Sequence, residues 1–213
     1  MVVSLVALTG CGSGPERPAA KPPGETSPPR VAAKPPGEVS PARVGRTPGV
    51  VTMIGDSLAV GTEALLPAAL PGWTVHTDAR RGRPIREGLD VLSRASVPRG
   101  SVLAFSLFTN DLPASTPTLQ TALRAGASAV GPKGCQVWAT IARPPVGGDA
   151  SEPANDVLRR LDGKRVMGTR TVAADWAALV AIEPSLLGPD RVHGTLEGYR
   201  ARAALYAQAV RRC

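Results

Sequence analysis

From residue 50 onward, short apolar runs rich in β-branched side chains alternate with longer segments of helical periodicity. The runs predict five buried strands, at 50–54, 73–77, 102–107, 136–141 and 169–173. Helical spacing follows each of the first four strands, and a last helix begins near Leu196. Consecutive parallel strands need a long crossover connection, which a helix supplies. The pattern therefore predicts the α/β class, as a three-layer α/β/α sandwich with a five-stranded parallel sheet.

The chain before residue 49 has a different composition and contains a tandem repeat. Residues 19–31 recur at 32–44 with only two changes. This segment is rich in proline and nearly free of large apolar side chains, so it cannot build a hydrophobic core. Because proline favours extended polyproline geometry, we expect a Pro-rich linker over residues 12–48 that acts as a semi-rigid spacer. The folded domain is expected to span residues 49–213.

A short apolar run, residues 2–8, precedes the spacer and leads into Leu-Thr-Gly-Cys at 8–11. An apolar run of this length ending at small residues is typical of an export signal and is too short to span a bilayer. The last four residues resemble the lipobox of bacterial lipoproteins. That resemblance implies an export signal over residues 1–11 and an exported protein, either anchored to the outer face of the cell membrane by a lipidated Cys11 or secreted. No Lys or Arg precedes the run, and an incidental cysteine in an apolar terminus is the alternative.

The chain is basic, with 25 Lys and Arg against 17 Asp and Glu and a formal net charge of +8. The basic residues are spread along the sequence, and no aromatic residues are interleaved with them. Nucleic-acid binding usually needs a clustered basic patch or a stacking platform, so we expect no nucleic-acid partner. The charge predicts mild attraction to anionic surfaces or polymers.

Polar residues follow the predicted strands at the edge where parallel α/β sheets bind ligands. Ser57 follows the first strand, Gly82 the second and Asn110 the third, whereas Asp190 and His193 precede the last helix. A serine nucleophile needs a general base, and the base needs an orienting carboxylate. A side-chain amide and backbone N–H groups can stabilise an oxyanion. The alternatives are a helix-capping serine, a turn asparagine and a solvated loop histidine.

Taken together, these blocks resemble the SGNH (GDSL-type) hydrolases, in which Gly-Asp-Ser-Leu, Gly, Asn and Asp-x-x-His occur in this order. The resemblance covers the whole predicted domain. It implies a flavodoxin-like α/β/α fold and a serine enzyme that transfers acyl groups without a metal or organic cofactor. By position, it implies that Ser57 is the nucleophile, His193 the base and Asp190 its partner. It also implies that Gly82 and Asn110 complete an oxyanion hole with the Ser57 backbone N–H.

One residue departs from the family motifs, and arginines flank one of the motif residues. The family typically reads Gly-x-Asn-Asp in its third block, and Phe108 stands where that glycine is expected. We expect the ring to narrow the acyl pocket or to tilt the loop. Arg80, Arg81 and Arg83 flank Gly82, where they either select anionic substrates or are ordinary exposed loop residues.

Two cysteines, Cys135 and Cys213, remain once Cys11 is set aside. In an exported protein, two leftover cysteines are expected to pair, which would tie the final helix to the sheet. Free thiols are the alternative, since the sequence does not give the distance between them.

Three functions are consistent with these residues. The first is a monomeric serine esterase of the cell envelope that hydrolyses short-chain or O-acetyl esters, with an envelope polysaccharide as a candidate substrate. The second uses the same residues to pass the acyl group to a glycan hydroxyl, since similar domains occur in O-acetyltransferases of envelope glycans. The third is a non-catalytic envelope-binding lipoprotein, which would have no need of the complete set of motif residues.

Overall fold

The computed structural model describes residues 48–112 and 114–213. The expected signal, Cys11 and nearly all of the expected spacer lie outside the described residues, so their predictions stay predictions. The strands are β1 (Val50–Gly55), β2 (Thr74–Ala79), β3 (Val102–Ser106), β4 (Cys135–Ala139), β5 (Arg165–Val166) and β6 (Thr169–Ala174). The helices are α1 (Ser57–Thr62), α2 (Leu66–Ala69), α3 (Ile85–Arg94), α4 (Thr116–Val130), α5 (Glu152–Leu161), α6 (Trp176–Ile182) and α7 (Leu196–Arg211). Within the described ranges, no helix is long and apolar enough to cross a membrane.

The six strands form one sheet in the order β2-β1-β3-β4-β6-β5. Neighbouring strands are parallel except for β5, which pairs antiparallel with β6. The α/β prediction is confirmed, whereas the prediction of five strands is wrong by this one strand. β5 is two residues long and turns back through Met167 and Gly168, both at positive φ, so it is too short to show an apolar run.

Both faces of the sheet are buried, which is why the strand sequences are almost continuously apolar. Adjacent residues of a strand point to opposite faces. Met53 and Ala104 therefore belong to a core cluster that includes residues of α1, α2 and α7. Ile54 and Phe105 belong to a second cluster that includes residues of α3, α4 and α5. The helices thus form two layers with the sheet between them.

The sheet order also determines where a site can form. The chain passes from β1 outward to β2 and then returns to the other side of β1 to form β3. At such a topological switch point, the loops leaving the carboxyl ends of the two central strands separate and leave a crevice. The residues that follow β1 and β3 line this crevice.

The predicted disulfide is present between Cys135 and Cys213, whose Cα atoms lie 5.7 Å apart. Cys135 begins β4, and Cys213 follows the end of α7. The bond joins the C-terminal helix to the middle of the sheet at the amino ends of the strands.

Candidate active site

Ser57, His193 and Asp190 form a chain of hydrogen bonds at the carboxyl end of β1. The Oγ atom of Ser57 lies 2.9 Å from Nε2 of His193, across a separation of 136 residues. The Nδ1 atom of His193 lies 2.6 Å from Oδ2 of Asp190. In this arrangement, the carboxylate orients the imidazole, and Nε2 can accept the proton of the serine hydroxyl.

The Asp190 carboxylate is fixed by its own loop as well as by the imidazole. Its Oδ1 atom accepts hydrogen bonds from the backbone N–H groups of Val192 and His193, both at 3.0 Å. The hydrogen bond with the His193 ring, together with these two backbone bonds, lowers the pKa of Asp190 to about 2. The side chain is therefore a carboxylate throughout the pH range in which esterases usually work, although it is exposed to solvent.

The turn between β1 and α1 presents the Ser57 hydroxyl at the sheet edge. Asp56 caps α1, since its Oδ1 atom accepts a hydrogen bond from the Leu58 N–H at 2.9 Å. A Cβ atom at Gly55 would lie only 2.1 Å from the Cβ of Ala59, so the tight turn requires glycine there. Ser57 is the first residue of the helix, and the N–H of such a residue has no acceptor within the helix.

Gly82 and Asn110 lie on adjoining loops beside this turn. The Arg83 N–H donates to the Arg80 carbonyl at 3.2 Å, which closes a turn with Gly82 at φ 69°. Asn110 Nδ2 donates to the Arg83 carbonyl at 3.3 Å. A side-chain amide has two N–H donors, so the second remains for a ligand. The positive φ explains the glycine at position 82.

Solved structures similar to this chain share the fold just described. A comparison with protein-family models finds no match, and neither does one with curated protein sequences. The catalytic domain of peptidoglycan O-acetyltransferase A from Streptococcus pneumoniae is 19% identical, with a TM-score of 0.58, over 78% of this chain and 92% of that one. A protein from Slackia heliotrinireducens assigned as an SGNH hydrolase is 18% identical, with a TM-score of 0.56, over 76% and 99%. A lipolytic G-D-S-L family protein from Veillonella parvula is 13% identical, with a TM-score of 0.55, over 78% and 100%.

The chain has the SGNH hydrolase fold. At these identities the likeness concerns the fold alone, so the roles of individual residues depend on the geometry of this chain. That geometry brings together the serine, the histidine and the aspartate that the sequence motifs single out, and it places the loops of Gly82 and Asn110 side by side.

In this SGNH fold, Arg83 has a structural role that the sequence did not reveal. Its Nη1 atom donates to the carbonyls of Gly55, at 3.1 Å, and Asp78, at 2.6 Å. Its Nη2 atom donates to the Asp78 carboxylate at 2.6 Å. The buried guanidinium thereby joins the carboxyl ends of β1 and β2. Arg80 pairs with Glu87, so two of the three arginines flanking Gly82 are engaged internally.

Phe108, in the place of the family glycine, has a φ of 83°. This conformation is uncommon for a residue with a bulky side chain and costs about 1–3 kcal/mol. The ring is fully buried in the core cluster of α3 and α4, which offsets this cost. Phe108 thus contributes its ring to the core rather than to the exposed surface of the site.

Asp111 has a structural role, because its carboxylate accepts a hydrogen bond from the Ile85 N–H at the start of α3.

A second polar cluster lies buried beneath the triad. The Ser106 hydroxyl lies 3.4 Å from Oδ1 of Asp56 and accepts a hydrogen bond from Nη2 of Arg202 at 3.0 Å. The guanidinium carbon of Arg202 is 5.1 Å from the Trp176 ring centroid and 5.5 Å from that of Tyr206. Burial raises the pKa of Asp56, and the positive charge of Arg202 opposes this increase. The Asp56–Ser106–Arg202 cluster therefore supports the residue that caps α1.

Proposed function

We propose that this protein is a serine esterase that hydrolyses short-chain or O-acetyl esters through an acyl-enzyme. The observation that carries the proposal is the hydrogen-bond chain from Ser57 Oγ through His193 to Asp190, with distances of 2.9 and 2.6 Å. A serine that served only to cap its helix would have no need of this chain, and in this structure Asp56 provides the cap.

We assign a residue to each step of the reaction. Ser57 Oγ attacks the ester carbonyl while His193 Nε2 takes its proton, and Asp190 stabilises the resulting imidazolium. The oxyanion accepts hydrogen bonds from the Ser57 and Gly82 N–H groups and from Asn110 Nδ2. When the tetrahedral intermediate collapses, the ester C–O bond breaks and His193 returns the proton to the leaving alcohol. Water, deprotonated by the same imidazole, then attacks the acyl carbon. The bond from that carbon to Ser57 Oγ breaks, the imidazolium returns the proton to Oγ, and the acid leaves.

Replacing the nucleophile tests the proposal directly. The release of nitrophenol from 4-nitrophenyl acetate should fall by a factor of about 10⁴ or more in Ser57→Ala, because the covalent pathway is lost. Ser93→Ala is the matched control, since this exposed hydroxyl on α3 has one hydrogen-bond partner among the described residues, the Asp90 carbonyl. It should retain the wild-type rate. Equal rates for wild type and Ser57→Ala would exclude the serine mechanism.

An O-acetyltransferase is the second candidate, because one of the similar solved structures is the catalytic domain of a peptidoglycan O-acetyltransferase. Transfer uses the same acyl-enzyme, with a glycan hydroxyl in place of water. The two activities separate when an activated acetyl ester is supplied together with a glycan acceptor. Acetylated glycan that forms faster than free acetate would favour transfer over hydrolysis.

We further propose that the enzyme acts in the cell envelope, attached to the membrane by a lipid on Cys11. The lipobox-like residues 8–11 support attachment. The disulfide supports an oxidising compartment, since disulfides are rare in the cytosol of most cells. Cys11→Ala should move the protein from the membrane fraction to the soluble fraction. Unchanged membrane retention would contradict lipidation.

A further inference from the structure

Unpaired positive charge remains next to the triad after the internal ion pairs are accounted for. Arg80 and Arg83 are paired as described, and Arg143 pairs with Asp149. The side chains of Arg81 and Arg191, by contrast, have no hydrogen-bond or ion-pair partner among the described residues, and both are exposed. Arg191 directly follows Asp190 of the triad.

Arg81 lies on the β2 side of the triad. Burial raises the pKa of Tyr199, while Arg81 opposes and Asp190 reinforces this increase. Both charges are therefore within electrostatic reach of the same phenol.

Arg191 lines a cavity of about 520 Å³ whose wall includes residues of the loop that carries Asp190. Its wall is mostly apolar and includes Ile141, Val180 and Leu187. Gly188 and Arg191 complete it from the same loop that carries Asp190. Cavities of roughly 300–1,000 Å³ are typical of small-molecule sites, so this one has room for a substrate group.

Two buried polar atoms in the cavity wall have no protein partner. They are Oγ of Ser151 and Nε of Arg143, whose side chain is only 4% exposed. Glu152 also lines the cavity, but its charge is paired with Arg159. Because Arg143 is neutralised by Asp149, the one unpaired charge among the described residues that line this cavity is that of Arg191.

The chemistry of the proposed esterase indicates which part of the substrate this cavity would hold. His193 Nε2 must protonate the leaving oxygen, so the alcohol part of the ester lies on the imidazole side of the attacked carbonyl. The loop that carries His193 and Asp190 also contributes Leu187, Gly188 and Arg191 to the cavity. The cavity therefore adjoins the loop that carries the imidazole, toward which the leaving group points.

We infer that this cavity binds the alcohol part of the ester and that Arg191 recognises a carboxylate on it. A planar guanidinium pairs with a carboxylate through two parallel hydrogen bonds, and one unpaired cation matches one negative charge. Arg81 adds attraction at longer range. This inference rests on the proposed esterase function, and it differs from the alternative in which the arginines flanking Gly82 select anionic substrates.

Two esters that differ chiefly in charge test the inference. They are 4-acetoxybenzoate and its neutral counterpart 4-acetoxybenzamide, each with kcat/KM divided by its own rate of hydroxide hydrolysis. We expect wild type to favour the carboxylate by roughly tenfold or more, as is typical of a hydrogen-bonded charge pair. Arg191→Gln should bring the ratio near one, and Arg191→Lys should retain part of the preference. The ratio cancels any general loss of activity in these variants.

Arg94→Gln is the matched control, since Arg94 is exposed in the last turn of α3, away from the cavity. It should keep the wild-type ratio. Hydrolysis of both esters with a ratio that Arg191→Gln leaves unchanged would overturn the inference alone. An equal fall of the ratio in Arg94→Gln would do the same, because net charge rather than Arg191 would then be responsible. Hydrolysis of neither ester by wild type would overturn the proposed function as well.

Discussion

Two acidic side chains flank the nucleophile, and their surroundings have opposite effects on them. Asp190 is exposed, and its hydrogen bonds lower its pKa to about 2. Asp56 is fully buried, and burial raises its pKa. The first is joined directly to an imidazole at 2.6 Å, whereas the second reaches Arg202 through the Ser106 hydroxyl, at 3.4 and 3.0 Å.

The difference shows that the two carboxylates have different roles: one orients the histidine, and the other supports the helix that carries the serine. An exposed carboxylate keeps its charge without a cationic partner, so it can orient a histidine whose own charge changes during each cycle. A buried carboxylate is stable only if donors and a nearby cation compensate for lost hydration. Changes to the hydrogen-bond chain of the triad should therefore affect the rate of ester hydrolysis. Changes to the buried Asp56–Ser106–Arg202 cluster should affect the free energy of unfolding.

Asp190→Asn should produce the largest effect. The amide does not accept the hydrogen bond from the Nδ1–H of His193 as the carboxylate does, and this favours the wrong tautomer of the imidazole. As a result, kcat should fall about 10⁴-fold. The temperature of unfolding should change little because the side chain is exposed. Ester hydrolysis and thermal unfolding check the two parts, with exposed Asp90→Asn as the control. A fall in kcat of less than tenfold would contradict the assignment of Asp190 as the residue that orients His193.

Arg202→Met should act mainly on stability. It leaves Asp56 buried without its counter-charge, and breaking such a pair lowers the free energy of unfolding by about 3–5 kcal/mol. The pKa of Asp56 should increase further, so the folded state holds its proton more tightly than the unfolded state does. The deficit relative to wild type should therefore grow once the pH exceeds the raised pKa that Asp56 has in the folded wild type, because only above that pH do the two folded states bind different numbers of protons. Urea unfolding at pH 4.5 and 7 measures it.

A double variant separates loss of charge compensation from loss of packing. Asp56→Asn removes the buried charge but retains a good helix-capping side chain. In the Arg202→Met background, it should recover part of the lost stability, which a double-mutant cycle would report as coupling. A simple sum of the two single effects would indicate that Arg202 acts through its contacts with the aromatic rings alone.

Tyr206→Phe should give the smallest change. The Tyr206 hydroxyl donates to the Phe105 carbonyl at 2.7 Å inside the buried cluster. Removing one such hydrogen bond should lower the free energy of unfolding by about 1 kcal/mol. The rate of ester hydrolysis should stay at the wild-type value, since no group of the triad contacts this hydroxyl. A large loss of rate at unchanged stability would break the proposed separation between the two clusters.

The sequence predicted those features whose signal is local. The five parallel strands are apolar runs, Ser57 lies in a short motif at the end of the first strand, and Asp190 and His193 lie in a short motif before the last helix. β5 and α6 were missed, because two residues and seven residues give little periodicity to detect. The contact between Arg202 and Ser106 spans 96 residues, so no local pattern could indicate it.

Phe108 shows a further limit. Its position was recognised by comparison with the family motif, and the expected consequence was a narrower acyl pocket or a tilted loop. The structure places the ring in the core and gives the backbone at this residue a positive φ. Side-chain direction at a residue of positive φ depends on the whole loop, which sequence alone does not specify.

The disulfide affects how the protein can be attached to a solid surface. It holds Cys213 against the first residue of β4, and the described chain enters the domain just before the first residue of β1. Both points lie at the amino edge of the sheet, whereas Ser57 lies at the carboxyl edge. Immobilisation on a bead or sensor surface through either point would turn the catalytic crevice outward, toward a bulky polymeric substrate in solution.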